Sequence, residues 1–304
     1  MRRFVIGFGI SVFLCFLGSP AGALEATKLA DGVYGIKGPG MDFNTSIVVG
    51  DRGVFVFGCA PNTYYERMEA IKKVAGGKPV RYVSNGHYAF DDTGCNHLLA
   101  EQGATVIGNP VFAKLLMPYL RERLTEDAAK GRIKKELVEG KRVELAMPTI
   151  LFEDKLTLDL GSHLVELQFV GKAHTEDNAI VWLPKEKILF ADDLLFVELH
   201  PTADDRSDTM NWQRILRKLA GWSPATVVPG HGVFAPGNGA KSLLEMDRYF
   251  ETMRAKIKAM KDTGKSLDEI KKGIRAELGE FAKWPRERAI PGTAEQVYRE
   301  LGAK

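Results

Sequence analysis

Apolar and polar positions alternate in short runs through most of the chain and switch to a period near 3.6 toward its end. Residues 44–50 and 53–58 read as two apolar strands around the turn Asp51-Arg52. Tyr64, Met68, Ile71 and Ala75 fall on one stripe, which predicts a helix over 64–75. A strand over 80–84, a helix over 96–102 and a strand over 105–108 follow. After a charged helical stretch from Val111 to about Gly140, strands are expected at 149–153, 156–160, 164–170, 179–183 and 188–190. Asp208 is placed to cap a helix running through Trp222, and 225–229 is a last strand.

This pattern gives two similar halves, each with strands followed by helix, and so a layered α/β architecture. Beyond residue 239 the pattern changes. Leu243, Met246, Phe250, Met253, Ile257 and Met260 recur at helical spacing, and Ser266-Leu-Asp-Glu269 resembles a capping box. The methionine stripe fits core packing better than a cofactor site. The expected organisation is a main domain over 24–239 and a helical C-terminal appendage over 240–304.

Residues 1–23 stand apart: Arg2 and Arg3 precede an apolar run from Phe4 to Leu17, then Gly18-Ser19-Pro20 and Ala21-Gly22-Ala23. That run is short of the ~20 residues of a membrane span and reads as a cleaved signal peptide. The expected location is periplasmic or secreted, with no stable membrane insertion after cleavage. Cleavage would remove two arginines and no acid, taking the formal net charge of +3 to about +1. Such a balance calls for no nucleic-acid partner and leaves a small-molecule substrate as the expected ligand. Nothing in the sequence sets an oligomeric state. Cys59 and Cys95 remain after export, and two cysteines make no disulfide framework. They are expected as separate buried thiols, with Cys95 a conceivable soft metal ligand.

Candidate chemistry gathers at strand ends. His87 follows the 80–84 strand, His174 the 164–170 strand and His231 the 225–229 strand, while Asp193 follows 188–190. Strands lie about 4.8 Å apart, so such groups can converge at one edge. His97 reads as a helix-face residue, His163 as exposed, and His200 as a side chain on the same edge as Asp193. No Gly-x-Ser-x-Gly elbow, Walker loop or dinucleotide fingerprint is present.

Over roughly residues 27–235 the sequence resembles the metallo-β-lactamase superfamily. Its first motif, His-x-His-x-Asp-His, is matched by His87-Tyr88-Ala89-Phe90-Asp91-Asp92, followed by Thr93-Gly94-Cys95-Asn96. Gly171-Lys-Ala-His174, Asp193 in Ala191-Asp-Asp-Leu194, and Val228-Pro-Gly-His231-Gly232 match the later motifs. The resemblance implies a four-layer αββα sandwich and a metal set of His87, Asp91, Asp92, His174, Asp193 and His231, with Asp193 bridging and Asp91 catalytic. Two departures stand out: Ala89 replaces one histidine and Asp92 another. Gly58 also stands where the family commonly has an aspartate that braces the loop, and Cys95 where glycine is usual. Three ligands can hold a catalytic zinc, and Asp91, Asp193 and His231 still make three. The sequence thus predicts one ion, zinc, with manganese or iron as alternatives toward which a carboxylate-rich set shifts preference. The implied activity is metal-dependent hydrolysis of a small ester, lactone, thioester or lactam; the alternative is a silent relative that binds a ligand or partner protein.

Overall fold

The computed structural model describes residues 24–129 and 146–302. Expectations for the signal peptide and for the part of the charged helical stretch beyond residue 129 lie outside the described residues. The first sheet has seven strands in sequential order: β1 (Ala26–Ala30), β2 (Val33–Ile36), β3 (Thr45–Gly50), β4 (Gly53–Phe57), β5 (Val80–Ser84), β6 (Thr105–Gly108) and β7 (Ile150–Leu151). It turns from antiparallel to parallel at β4, because helix α1 (Tyr64–Ala75) carries the chain back across the sheet before β5. Short helices α2 (Phe90–Thr93) and α3 (Asn96–Glu101) fill the next crossover, and α4 (Pro110–Ala129) follows β6.

The second sheet comprises β8 (Lys155–Asp159), β9 (Leu164–Gly171), β10 (Asn178–Leu183), β11 (Ile188–Val197), β12 (Thr226–Gly232) and β13 (Ala235–Pro236), ordered β13-β12-β11-β10-β9-β8. Helix α5 (Thr209–Gly221) links β11 to its parallel neighbour β12. Its N-terminus is capped by Asp208, whose side chain accepts from the Asn211 amide, a contact of about 1 kcal/mol. Helices α6 (Gly239–Asp262), α7 (Leu267–Glu277) and α8 (Ile290–Glu300) close the chain. Ser266 and Glu269 form the expected capping box of α7.

Alternation along the strands builds the layers. In β4, Phe55 and Phe57 face the second sheet, whereas Val54 and Val56 face α1. In β11, Ile188 and Phe190 point into the sandwich, while Leu189 and Ala191 point toward the helices on the other side. The result is an α/β, four-layer αββα sandwich. Helices α5–α8 share one continuous core with the second sheet, in which Met246, Met253 and Met260 pack against Trp212, Ile274 and Val297. No described helix is long and apolar enough to cross a membrane.

Three side chains depart from expectation. His163 is buried, not exposed, because Glu186 accepts its Nδ1–H at 2.9 Å beneath the turn. Cys59 and Cys95 form a disulfide instead of two thiols. The end of β4 and the start of α3 bring their Cα atoms to 5.5 Å, within the range a disulfide spans.

His200 is fully buried beside Tyr249 and Trp284, with Nδ1 2.9 Å from the Tyr249 hydroxyl, and faces the helical layer. Burial pushes its pKa down from 6.5 to about 4. A depressed histidine pKa means the neutral ring's contribution is complete above the unfolded pKa and is lost as pH falls toward the folded one. Wild-type protein should therefore lose thermal stability between pH 6.5 and pH 4 more steeply than His200→Gln. Parallel melting profiles for the two proteins would count against this.

Candidate metal centre

Three histidines reach one point with the same nitrogen forward. His87, just past β5, directs Nδ1 to Asp192 Oδ2 at 2.8 Å. His174, just past β9, directs Nδ1 to the Thr202 carbonyl at 2.9 Å. His231, in β12, directs Nδ1 to the Met41 carbonyl at 2.8 Å. A carbonyl only accepts, so Nδ1 donates in His174 and His231 and their Nε2 is left as the free acceptor. Fixing the far nitrogen in this way is how proteins set the tautomer of a metal-binding imidazole.

Asp193 sits among the three Nε2 atoms. Its Oδ2 lies 3.8 Å from His87 Nε2 and 3.5 Å from His174 Nε2, and its Oδ1 lies 3.5 Å from His231 Nε2. Asp91 Oδ2 approaches His231 Nε2 at 3.4 Å from the solvent side, with its side chain 41% exposed. Ligand atoms bonded at about 2 Å to a tetrahedral ion stand roughly 3.3 Å apart, close to these separations. Asp193 Oδ1 and His231 Nε2 are buried without a hydrogen-bond partner. Buried polar atoms are rarely left so. A cation next to Asp193 Oδ1 and His231 Nε2 would satisfy both atoms and has Asp91 adjoining, although the ligand atoms of Asp91, Asp193 and His231 do not all come within 4.8 Å of one another. On the other side, ligand atoms of His87, His174 and Asp193 all lie within 4.8 Å of one another.

The charges agree with this division. Burial would raise the Asp91 carboxyl, but the close approach of His231 and the charges of the nearby histidines hold it well below the usual carboxylate range. Burial pushes His174 down to about 4, so its ring is neutral at physiological pH. Burial also works against charge on His87, yet Asp192 and its neighbouring carboxylates raise it well above 6.5. Asp192 itself is pushed up to about 8, first by burial and then by Asp92.

Asp92 lies behind His87, away from the other ligands. Its Oδ2 accepts from the Gly86 and His87 amides at 2.8 and 3.0 Å, and its Oδ1 from Asn85 Nδ2 at 3.1 Å. This carboxylate staples the loop. A Cβ on Gly58 would collide with the Phe43 ring and come within 2.9 Å of Asp92 Oδ1. Asp92 thus supplies the loop brace that the resemblance assigns to position 58, so the departures at Gly58 and Asp92 match each other. His87, Asp92 and Asp192 also converge, but their facing atoms are already committed to one another and to the amides.

Several contributors carry no sequence signal. Asp192 adopts a left-handed backbone (φ 52) at a register shift in β11, which turns its carboxylate under His87. Only glycine fits at position 86, since any Cβ there would overlap the Asp192 carboxylate. Arg67, fully buried in α1, donates to Thr63 and Thr45 Oγ1 at 2.8 Å and to the Phe43 carbonyl at 2.5 Å. It thereby holds the loop whose Phe43 ring meets His231 edge-on at 5.5 Å. Of the residues named from sequence, His87, Asp91, His174, Asp193 and His231 are brought together, and Asp92 is not among them.

The family model of the metallo-beta-lactamase superfamily matches residues 40–231 of this chain. The chain belongs to the metallo-beta-lactamase superfamily. A type 2 metallo-beta-lactamase of Bacteroides fragilis is 33% identical over 122 residues, covering 37% of this chain and 47% of that protein. The chain thus spans about half the length of this curated relative. A metallo-beta-lactamase from Pontibacter korlensis has a similar solved structure, with a TM-score of 0.58 at 22% identity over 74% of this chain and 99% of the other. A metallo-beta-lactamase family protein from Thermus thermophilus aligns at a TM-score of 0.66 and 18% identity, over 91% of this chain and 96% of its own. At these identities the solved structures establish the superfamily fold alone.

Proposed function

We propose that this superfamily member is an exported, metal-dependent hydrolase of a small ester, lactone, thioester or lactam, with one metal held by Asp91, Asp193 and His231. The observation that carries the reading is the pair of buried, unpartnered atoms, Asp193 Oδ1 and His231 Nε2, facing Asp91. Zinc is the ion that the superfamily commonly holds, and manganese or iron would suit the carboxylates. A metal bound there supplies Lewis acidity, lowering the pKa of water toward about 7 and polarising a carbonyl. Asp91, ionised and at the solvent edge, orients the attacking water and takes its proton. His231 is held by Met41 and Phe43, and Asp193 keeps a second oxygen toward His87 and His174, where the imidazole absent at Ala89 weakens any second position. The lactamases among the relatives support the lactam as one substrate class. The disulfide and the apolar run at 4–17 support a periplasmic or secreted location.

Metal content of protein recovered from a bacterial periplasm tests the proposal. About one equivalent of metal is expected in the wild type, with loss in Asp91→Ala and His231→Ala and retention in His174→Ala. Absence of metal under saturating zinc, manganese and iron would overturn it. The second reading, a silent ligand-binding relative, is favoured by Ala89. It predicts bound metal without turnover of chromogenic esters, lactones, thioesters or lactams.

A further inference from the structure

A charge buried in α1 is committed to the loop that fixes one histidine of the metal centre. Arg67 has no exposed surface. Its Nη2 donates to the Phe43 carbonyl at 2.5 Å, its Nη1 to Thr45 Oγ1 and its Nε to Thr63 Oγ1, both at 2.8 Å. Asp42 Oδ2 stands 3.6 Å from Nη2 as counter-charge. A buried charge is tolerated only where such partners meet it, so the guanidinium and residues 42–45 hold one another in place. Residues 41 and 43 of the same loop meet His231. The Met41 carbonyl accepts from Nδ1 at 2.8 Å, and the Phe43 ring stands edge-on at 5.5 Å. Asn44 ties the loop to β12: its amide donates to the Gly230 carbonyl, and its Nδ2 to the carbonyls of Pro229 and Gly232. The Met41 side chain is 42% exposed, so the place of its carbonyl depends on the pinned residues beside it.

We propose that Arg67 is a positioning residue of the metal centre. By fixing residues 42–45 it keeps the Met41 carbonyl on His231 Nδ1, and so keeps the Nε2 lone pair turned toward Asp91 and Asp193. Its effect on metal affinity rests on the one-metal reading above; its effect on the His231 ring does not.

The test follows the His231 ring and the metal separately. The Nδ1–H proton of His231, assigned by its absence in His231→Gln, should give a slowly exchanging NMR signal in the wild type with or without metal. Arg67→Met, folded by far-UV circular dichroism, should lose that signal. It should also bind zinc about 10-fold or more weakly in competition with a chromogenic chelator, as when an outer partner of a metal ligand is displaced. Arg67→Lys should lie between, because an ammonium restores the charge without the fork. Ile274→Ala, a cavity in the core of the helical layer, controls for stability: it should melt earlier yet keep the signal and the affinity. An Arg67→Met protein that keeps either readout, or an Ile274→Ala protein that loses both, overturns the inference. If Arg67→Met does not fold, Thr45→Val, which withdraws one acceptor from the guanidinium, takes its place, and wild-type readouts there overturn it equally. A wild type that shows the signal but binds no metal overturns the hydrolase reading alone, and the signal in Arg67→Met then still decides this inference.

Discussion

Asp193→Ala should leave a folded protein that holds no metal tightly. Asp193 is the one carboxylate that serves both sides of the centre, with Oδ2 toward His87 and His174 and Oδ1 toward His231. Its removal leaves two histidines on one side and the Asp91–His231 pair on the other, each below the three ligands of a catalytic site. Outer partners of metal ligands are worth 10–100-fold in affinity. Loss of this ligand should therefore cost at least about 100-fold, read by competition with a chromogenic chelator. The fold should persist, because the side chain contributes no hydrogen bond to the core. Stoichiometric metal retained by Asp193→Ala through gel filtration would remove the centre from this place in the structure.

Asp92 should behave in the opposite way, with a large effect on stability. In Asp92→Ala the amides of Gly86 and His87 and the side-chain amide of Asn85 lose a buried acceptor together. Each unsatisfied buried donor costs about 1–3 kcal/mol, so a loss of about 3 kcal/mol or more is expected. Urea unfolding measures it directly. Asp92→His, which writes the superfamily's usual residue back into the motif, should be destabilised as well, since Gly58 offers no carboxylate to take over the staple. Unfolding midpoints equal to wild type in both variants would mean that Asp92 does not hold the loop.

These contrasting roles mark the limit of what the sequence made legible. Apolar alternation revealed β3 to β6 and β9 to β11, and helical spacing revealed α1 and α6, because each buries a full face. β1, β2 and β13 escaped: β1 is an edge strand with no fully buried position, β2 is four residues long, and β13 only two. The candidate ligands at 87, 91, 174, 193 and 231 were visible through motif order. Asp92 shared that visibility, but sequence order says nothing of which way a carboxylate turns, and here the loop amides claim it. The Asp192 contact with His87 spans 105 positions and depends on a positive φ, which no local pattern announces.

The disulfide couples the candidate centre to the redox state of its surroundings. Cys59 and Cys95 are separated by 36 positions, and the loop they close contains β5 and the whole stretch from His87 to Asp92. Closing such a loop removes about 4 kcal/mol of freedom from the unfolded chain. Oxidation thus pre-shapes one wall of the metal centre before any ion arrives, while a reduced chain must gather the same wall against its full entropy. Loss of the crosslink should therefore weaken metal binding without touching a single candidate ligand.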